Sequence, residues 1–204
     1  MHKREAGMTL IEILVVITII ATIAGMATVL IRVGQERRVE FACIKHVGEL
    51  VGLLESTPGA RYPQHDGPNL VLYFVKKGEI AGKDSLEMLF CPGDMDESLA
   101  QAGGVEAYRN LDLSLKGEYG HLTSYAARAM TDRDCRVPRG TPIPTVLVAD
   151  DSDDHHFGKG IVVGLSGGAA KFRDKVDDYE LDHETPLVVG DGSTIDELSC
   201  LRTD

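Results

Sequence analysis

The densest group of possible ligand side chains in this sequence lies between positions 150 and 156. It comprises Asp150, Asp151, Asp153, Asp154, His155 and His156. Carboxylate oxygens in a loop are typical calcium ligands, whereas histidine nitrogens favour zinc. The spacing is not that of an EF-hand, and an acidic loop between strands is usually a solvated turn. The alternatives are therefore a calcium site on the four aspartates, a zinc site that uses the histidines, or no metal cofactor.

Motifs that would indicate an enzyme are scarce. The sequence contains no HExxH, Walker or dinucleotide-binding pattern, and scattered serine, histidine and aspartate residues do not define a catalytic triad without geometry. We therefore do not expect an enzyme, and only a pocket shared by His155 and Asp151 would favour one. His156 by itself is expected to be a structural hydrogen-bonding residue beneath a hairpin at Gly167.

Four cysteines, Cys43, Cys91, Cys135 and Cys200, would lie in an oxidising compartment if the domain that carries them is exported. Three pairings are possible if all four are bonded. We expect Cys43 to be a small buried residue on a helix. We expect Cys91 and Cys135, which both flank loops, to form a disulfide. The sequence has no CxxC motif, so these cysteines show no metal-ligand spacing.

A further candidate functional residue is an acidic side chain at the start of an apolar segment. Glu12 directly precedes the uncharged segment from Ile13 to Ile31. A carboxylate at membrane depth costs about 2.5–3.5 kcal/mol on insertion scales. A helix over that segment would extend about 28 Å, close to the hydrocarbon thickness of a bilayer. The sequence therefore predicts one membrane-spanning helix over about 10–31 and a specific partner for Glu12.

The residues around this segment resemble the prepilin signature of the type IV pilin and type II secretion pseudopilin family. The shared features are a basic leader with Lys3 and Arg4, a cleavage position at Gly7, an apolar first mature residue, Met8, and glutamate as the fifth mature residue. The resemblance implies that a prepilin peptidase cuts after Gly7 and that Met8 becomes N-methylated. A plain signal anchor would explain the hydrophobicity but neither Gly7 nor Glu12.

The same resemblance implies the location and the partners. The leader, 1–7, would stay cytoplasmic, a helix would cover 8–57, and an α+β domain over 58–204 would be exported. This single-pass inner-membrane protein would meet the peptidase, other pilin-like subunits and an inner-membrane assembly platform, with its domain periplasmic or extracellular. The net charge of −11 argues against a nucleic acid as a partner of that domain.

Periodicity predicts an α+β fold in which one long N-terminal helix packs on a small antiparallel sheet. Apolar residues from Val39 to Leu54 recur at intervals of three and four, which extends the first helix to the stop at Pro58-Gly59. A second helix, capped by Asp66 or Asn69, is expected from Leu70 to Lys77. Strands are expected at Thr123 to Met130, Thr145 to Ala149, Gly160 to Leu165, Ala169 to Arg173 and Leu187 to Val189.

The carboxy-terminal half resembles a subgroup of pilin-like proteins marked by a histidine, nine residues and then Asp-Gly. Here His156 is followed after nine residues by Ser166-Gly167, so the acid of that motif is missing. This resemblance implies architecture rather than activity.

The predicted function is that of a pilin-like structural subunit that is processed and assembled into a type II secretion pseudopilus or a type IV pilus-like filament. The alternative is a membrane-anchored, exported binding domain that is processed by the same peptidase but does not polymerise. Cross-linked ladders would favour the subunit, whereas a solely monomeric membrane protein would favour the binding domain.

Overall fold

A computed structural model describes residues 10–94, 98–182 and 184–203. The helices and strands of this part follow the order α1 (Leu10–Ser56), α2 (Pro68–Lys76), α3 (Lys83–Glu87), β1 (Tyr125–Arg128), β2 (Val146–Asp150), β3 (Gly160–Leu165), β4 (Ala169–Asp174), α4 (Asp196–Ser199) and β5 (Leu201–Arg202). Short 3-10 helices lie at Gly104–Tyr108, Gly120–Leu122 and Asp154–His156. The chain divides after Arg38 into two compact units, each described by itself below.

The first unit contains the amino-terminal part of α1, which carries no charged residue from Ile13 to Ile31. Large side chains such as Ile13, Ile17 and Ile20 are about half exposed, at 49%, 55% and 59%. A helix that is apolar all round is normally surrounded by protein or lipid rather than water. This helix is long and apolar enough to cross a membrane, by length and composition.

In the second unit, one face of α1 is buried against the sheet. The buried residues recur at helical spacing: Cys43, Val47, Leu50, Val51 and Leu54. The contact is close at Gly164 of β3, where an added Cβ would lie 2.3 Å from Val51 Cγ2. The helix ends at Ser56, just before Pro58-Gly59, where Gly59 has a φ of 122°. This confirms the predicted helix end.

The five strands form one antiparallel sheet in the order β4-β3-β2-β1-β5. The hairpin between β3 and β4 turns at Gly167 and Gly168, whose φ angles of 93° and 89° suit glycine. The first four strands lie where the sequence predicts them, and β3 has the predicted bounds. The fold class, a long helix with a small antiparallel sheet, is confirmed.

Both faces of the sheet are covered. Val148 and Val162 face the core that contains α1, whereas their neighbours Ala149 and Ile161 face a second core. Leu187 contributes to that second core from irregular chain. The predicted strand at 187–189 is therefore wrong, because this apolar run covers the sheet without pairing with it.

The start of α2 also differs from the prediction. Gly67 is the N-cap residue, and no side chain caps the helix. Asp66 instead accepts a hydrogen bond from the Thr131 backbone N–H at 2.6 Å. It also forms an ion pair with the Lys116 ammonium at 2.8 Å. Asn69 donates to the Leu115 carbonyl at 2.8 Å. These side chains connect the helix start to later loops, and Pro68 begins the helix with its fixed φ.

Candidate functional site

Four ligand-type side chains meet inside the second unit. Cys43 comes from α1, Cys91 follows α3, Asp150 ends β2, and His156 closes a 3-10 turn. One possible ligand atom from each lies within 4.8 Å of all the others. The four side chains are 0%, 1%, 0% and 3% exposed, in that order. We refer to these four residues as the cysteine-histidine-aspartate cluster.

Asp150 is the centre of the cluster. Its Oδ2 lies 2.8 Å from His156 Nε2 and accepts a hydrogen bond from the Val162 backbone N–H at 3.0 Å. Its Oδ1 lies 3.1 Å from Cys43 Sγ. Cys91 Sγ is 3.7 Å from His156 Nε2. The carboxylate is therefore held by backbone of the neighbouring strand and faces both a thiol and an imidazole.

Local backbone geometry brings the two loops of the cluster together. An added Cβ at Gly93 would lie 1.9 Å from the His155 carbonyl oxygen, so a residue with a side chain does not fit there. The chain after His156 reverses at Phe157, which has a positive φ of 60°. The segment after Cys91 can therefore lie directly against the histidine turn, because residue 93 is glycine.

Opposing effects set the protonation of the cluster. Burial would raise the pKa of the Asp150 carboxyl, but hydrogen bonding to the histidines lowers it to about 2. Burial would lower the pKa of His156, but its contacts with Asp150 and Cys91 raise it to about 9. Hydrogen bonding with Cys43 lowers the pKa of Cys91, whereas burial raises that of Cys43. The contacts within the cluster therefore favour the ionised form of Asp150 and the protonated form of His156.

His155 adds a further nitrogen beside the cluster. Its Nδ1 is buried, has no hydrogen-bond partner among the described residues, and lies 4.0 Å from Asp150 Oδ1. Its Nε2 lies 3.4 Å from Asp94 Oδ2 and 3.7 Å from Asp151 Oδ1. The buried nitrogen therefore points toward an already crowded set of polar groups.

The cluster does not have the geometry of a catalytic triad with a cysteine nucleophile. In such a triad the acid holds one ring nitrogen, and the nucleophile faces the other. Here Nε2 of His156 faces both Asp150, at 2.8 Å, and Cys91, at 3.7 Å. The carboxylate therefore does not orient the imidazole as a base for the thiol.

One catalytic pattern does occur in the sequence, because residues 164–168 read Gly-Leu-Ser-Gly-Gly and match G-x-S-x-G. In a nucleophile elbow the serine stands between a strand and a helix. Ser166 instead lies in the turn between the antiparallel strands β3 and β4, and its Oγ accepts a hydrogen bond from the Thr145 backbone N–H at 2.9 Å. The match is therefore a hairpin turn.

The structure does not gather the four aspartates that were considered for calcium. Asp150 belongs to the cysteine-histidine-aspartate cluster. Asp153 is buried and pairs with the Lys175 ammonium at 2.9 Å. Asp154 is exposed, and Asp151 lies near His155. Among the described residues these carboxylates form no common set of calcium ligands, because strand pairing draws Asp150 into the core.

The predicted Cys91–Cys135 disulfide is wrong. Cys135 is bonded to Cys200, with a Cα–Cα distance of 5.3 Å, and Cys43 and Cys91 are free thiols. The pairing of β5 with β1 explains the difference, since it brings Cys200, directly before β5, to the segment that follows β1. Cys91 is instead held in the cysteine-histidine-aspartate cluster.

Two other expectations about this region need correction. Cys43 is buried on α1 as predicted, but it contacts Asp150 and lies 3.6 Å from the Tyr125 hydroxyl, so it is more than a small apolar residue. His156 hydrogen-bonds as expected, but its partner is Asp150 rather than the Gly167 hairpin. The acidic loop indicated Asp150 and His156, but the sequence offered no local signal that Cys43 and Cys91 would join them, because both cysteines come from distant elements.

The residues of the predicted processing site are mostly outside the described part. Gly7 and Met8 precede it, so their roles stay predictions. Glu12 lies in the first turn of α1 and is exposed. Its role in assembly also stays a prediction.

Comparison with known proteins supports the interpretation of the amino terminus. Residues 2–28 match the family model described as the prokaryotic N-terminal methylation motif. No curated protein and no solved structure matches the chain. The resemblance of the carboxy-terminal half to the histidine-X9-Asp-Gly subgroup is not confirmed. The motif and the apolar helix indicate a membrane-anchored protein of the prepilin-processed class, which carries an α+β domain.

Proposed function

We propose that this chain is a pilin-like structural subunit that is cleaved after Gly7, N-methylated on Met8 and assembled into a type II secretion pseudopilus or a type IV pilus-like filament. The observation that carries the proposal is the match of residues 2–28 to the N-terminal methylation motif. Proteins with this motif are substrates of prepilin peptidase, which makes that enzyme the first partner.

The form of α1 supports assembly as the next step. Its amino-terminal part exposes isoleucine and leucine side chains on all sides, at 51% for Leu14 and 62% for Ile23. Such a helix can lie in a bilayer before assembly and can pack against copies of itself afterwards, because both environments exclude water. Other pilin-like subunits and an inner-membrane assembly platform are the partners that this route requires.

The orientation follows from the same proposal. The leader is cytoplasmic, the helix spans the inner membrane once, and the domain is periplasmic or extracellular. The disulfide between Cys135 and Cys200 supports export, because disulfides persist in oxidising compartments.

Processing is tested by intact-mass and amino-terminal analysis of the full chain, co-expressed with a prepilin peptidase. We expect a chain that begins at methylated Met8. Gly7→Val is expected to abolish cleavage, because the peptidase cuts after glycine, whereas Ala6→Val is the matched control and should be processed. Recovery of the parent chain from Met1 beside an active peptidase would contradict the proposal.

Assembly is tested separately by cross-linking in cells. A ladder of oligomers that depends on prior cleavage supports the filament subunit. A processed chain that stays solely monomeric would favour the alternative, a membrane-anchored exported binding domain.

A further inference from the structure

We propose that the cysteine-histidine-aspartate cluster binds one zinc ion as a structural metal centre. Cys43, Cys91, Asp150 and His156 would be the four ligands. This site is separate from the amino-terminal processing signal, and it lies in the globular part of the chain.

The chemistry of the donors selects the metal. Two sulfurs, one imidazole nitrogen and one carboxylate oxygen form a set typical of zinc, since thiolate and imidazole are poor ligands for calcium and magnesium. Four protein ligands fill a tetrahedral zinc site, whereas a catalytic zinc keeps a position for water. A closed set of four buried ligands therefore indicates a structural centre.

The spacing of the donors also fits one small ion. For zinc bonds of about 2.0–2.3 Å, the edges of the tetrahedron are about 3.5 Å between sulfur and nitrogen or oxygen, and about 3.4 Å between nitrogen and oxygen. With Asp150 Oδ2 as the carboxylate ligand, the separations are 3.7 Å from Cys91 Sγ to His156 Nε2, 3.3 Å from Cys43 Sγ to Asp150 Oδ2 and 2.8 Å from His156 Nε2 to Asp150 Oδ2. Each lies within about 0.6 Å of its edge, so small side-chain movements would suffice.

Neighbouring groups provide the outer support that such a site needs. The Val162 backbone N–H fixes Asp150 Oδ2 at 3.0 Å, and the Tyr125 hydroxyl lies 3.6 Å from Cys43 Sγ. Groups of this kind orient metal ligands. Cys91 also lines a cleft of about 570 Å³ together with Asp94 and His46, which gives an ion a route from solvent.

The centre would fasten α1 to the globular domain. Cys43 is on α1, whereas the other three ligands come from the sheet and from loops that pack on it. Metal binding is coupled to folding when the ligands come from distant segments, since the unfolded chain has no preformed site. The metal would thus hold the carboxy-terminal part of α1, which carries Cys43, against the sheet.

The competing state of the two thiols is a Cys43–Cys91 disulfide. Their sulfurs are within 4.8 Å of each other, and the chain already carries one disulfide. The metal proposal accounts for Asp150 and His156 as well as the thiols, and it predicts that bound zinc protects both cysteines from oxidation.

The first test is direct metal analysis of the full chain, purified in detergent and incubated with zinc and then separately with cobalt(II). We expect one zinc per chain, and a cobalt spectrum with tetrahedral d–d bands and thiolate charge-transfer bands. X-ray absorption fine structure of the zinc-bound chain should show two sulfur ligands and two nitrogen or oxygen ligands. No bound zinc, a cobalt spectrum without thiolate bands, or protein from the cell envelope with a Cys43–Cys91 disulfide would overturn the proposal.

The second test assigns the ligands. Cys91→Ser and His156→Gln should each weaken zinc binding by at least about tenfold. His65→Gln removes a histidine outside the cluster, so this control should keep the parental affinity. Unchanged affinity in the ligand variants would overturn the assignment. If those variants fail to fold, the cobalt spectrum of the parent chain still decides the result.

Discussion

Cys43 Sγ lies 3.1 Å from Asp150 Oδ1, so the helix that carries the domain contacts the end of β2 across 107 residues of sequence. Both side chains are 0% exposed. Polar groups at such depth are costly unless they are partnered, and this contact makes the packing of α1 depend on the sheet.

Asp150→Ala is expected to destabilise the protein by about 1–3 kcal/mol, because it leaves the His156 ring nitrogen and the Val162 N–H buried without the carboxylate that they contact. Asp154→Ala is the matched control from the same acidic loop. Its side chain is exposed, so its effect should stay within about 0.5 kcal/mol. Urea unfolding of the full chain in detergent measures both. Equal effects would show that Asp150 is not held as described.

The contact between α1 and β3 gives a second prediction from a pair of glycines. A Cβ at Gly164 would lie 2.3 Å from Val51 Cγ2 and 2.8 Å from Val47 Cγ1, whereas one at Gly48 would lie 3.6 Å from Ala170 Cβ. Gly164→Ala should therefore cost about 1–3 kcal/mol through overpacking. Gly48→Ala should be neutral or stabilise α1 by up to about 1 kcal/mol.

Thermal unfolding of the two glycine variants provides the measurement. If Gly48→Ala destabilised the protein as much as Gly164→Ala, the helix would not lie on the sheet at the position described.

The Cys135–Cys200 disulfide closes a sequence separation of 65 residues. Replacing both cysteines by alanine should lower the free energy of unfolding by about 4 kcal/mol in the chain-entropy model. Peptide mapping without reductant should recover this pair. Recovery of Cys91 bonded to Cys135 would instead restore the pairing expected from the sequence and contradict the structure.

The sequence predicted the fold where local patterns decide it. The three- and four-residue spacing in α1 and the apolar run of β3 each specify an element without distant contacts. It failed at 187–189, because an apolar run can cover a sheet as irregular chain. It also missed the meeting of Cys43 with Asp150, since only the sheet register and the packing of α1 bring them together, and no motif records that.

The contacts of Asp66 predict how the folding stability of the protein depends on pH. Burial would raise the pKa of the Asp66 carboxyl, but hydrogen bonds from Lys116 and Thr131 lower it below the ordinary value of 3.8. A lowered pKa in the folded state means that the unfolded state binds protons first as pH falls. At pH values above the ordinary pKa of 3.8, these contacts therefore contribute their full stabilisation. That stabilisation is lost as the pH falls through the lower pKa that Asp66 has in the folded state.

Asp66→Asn should accordingly lose less stability than the parent chain on acidification from about pH 5 to about pH 2, and at neutral pH it should be less stable by about 1.5 kcal/mol. Asp84→Asn, an exposed site on α3, is the control for the loss of one charge. Chemical unfolding at several pH values measures the difference. Parallel curves for the parent and Asp66→Asn would contradict the assigned contacts.

Glu12 provides the prediction that separates assembly from anchoring. Under the proposed function, its carboxylate lies beside the amino group of Met8 on an adjacent subunit, where the surroundings exclude water. Removing one member of a buried charge pair typically costs about 3–5 kcal/mol, because the other charge loses its partner. Glu12→Leu should therefore insert into membranes at least as well as the parent but assemble more than about a hundredfold less.

Thr18→Leu is the matched control, because it also replaces an exposed polar residue of α1 with leucine. It should assemble at the parental level, and leader cleavage should be largely spared in both variants, since the cut lies at Gly7. Cross-linked oligomers from cells, normalised to the processed chain, provide the measurement. Parental assembly of Glu12→Leu would remove the proposed role of this carboxylate. The exported binding domain that does not polymerise would instead be favoured if the processed parent chain itself formed no cross-linked oligomers.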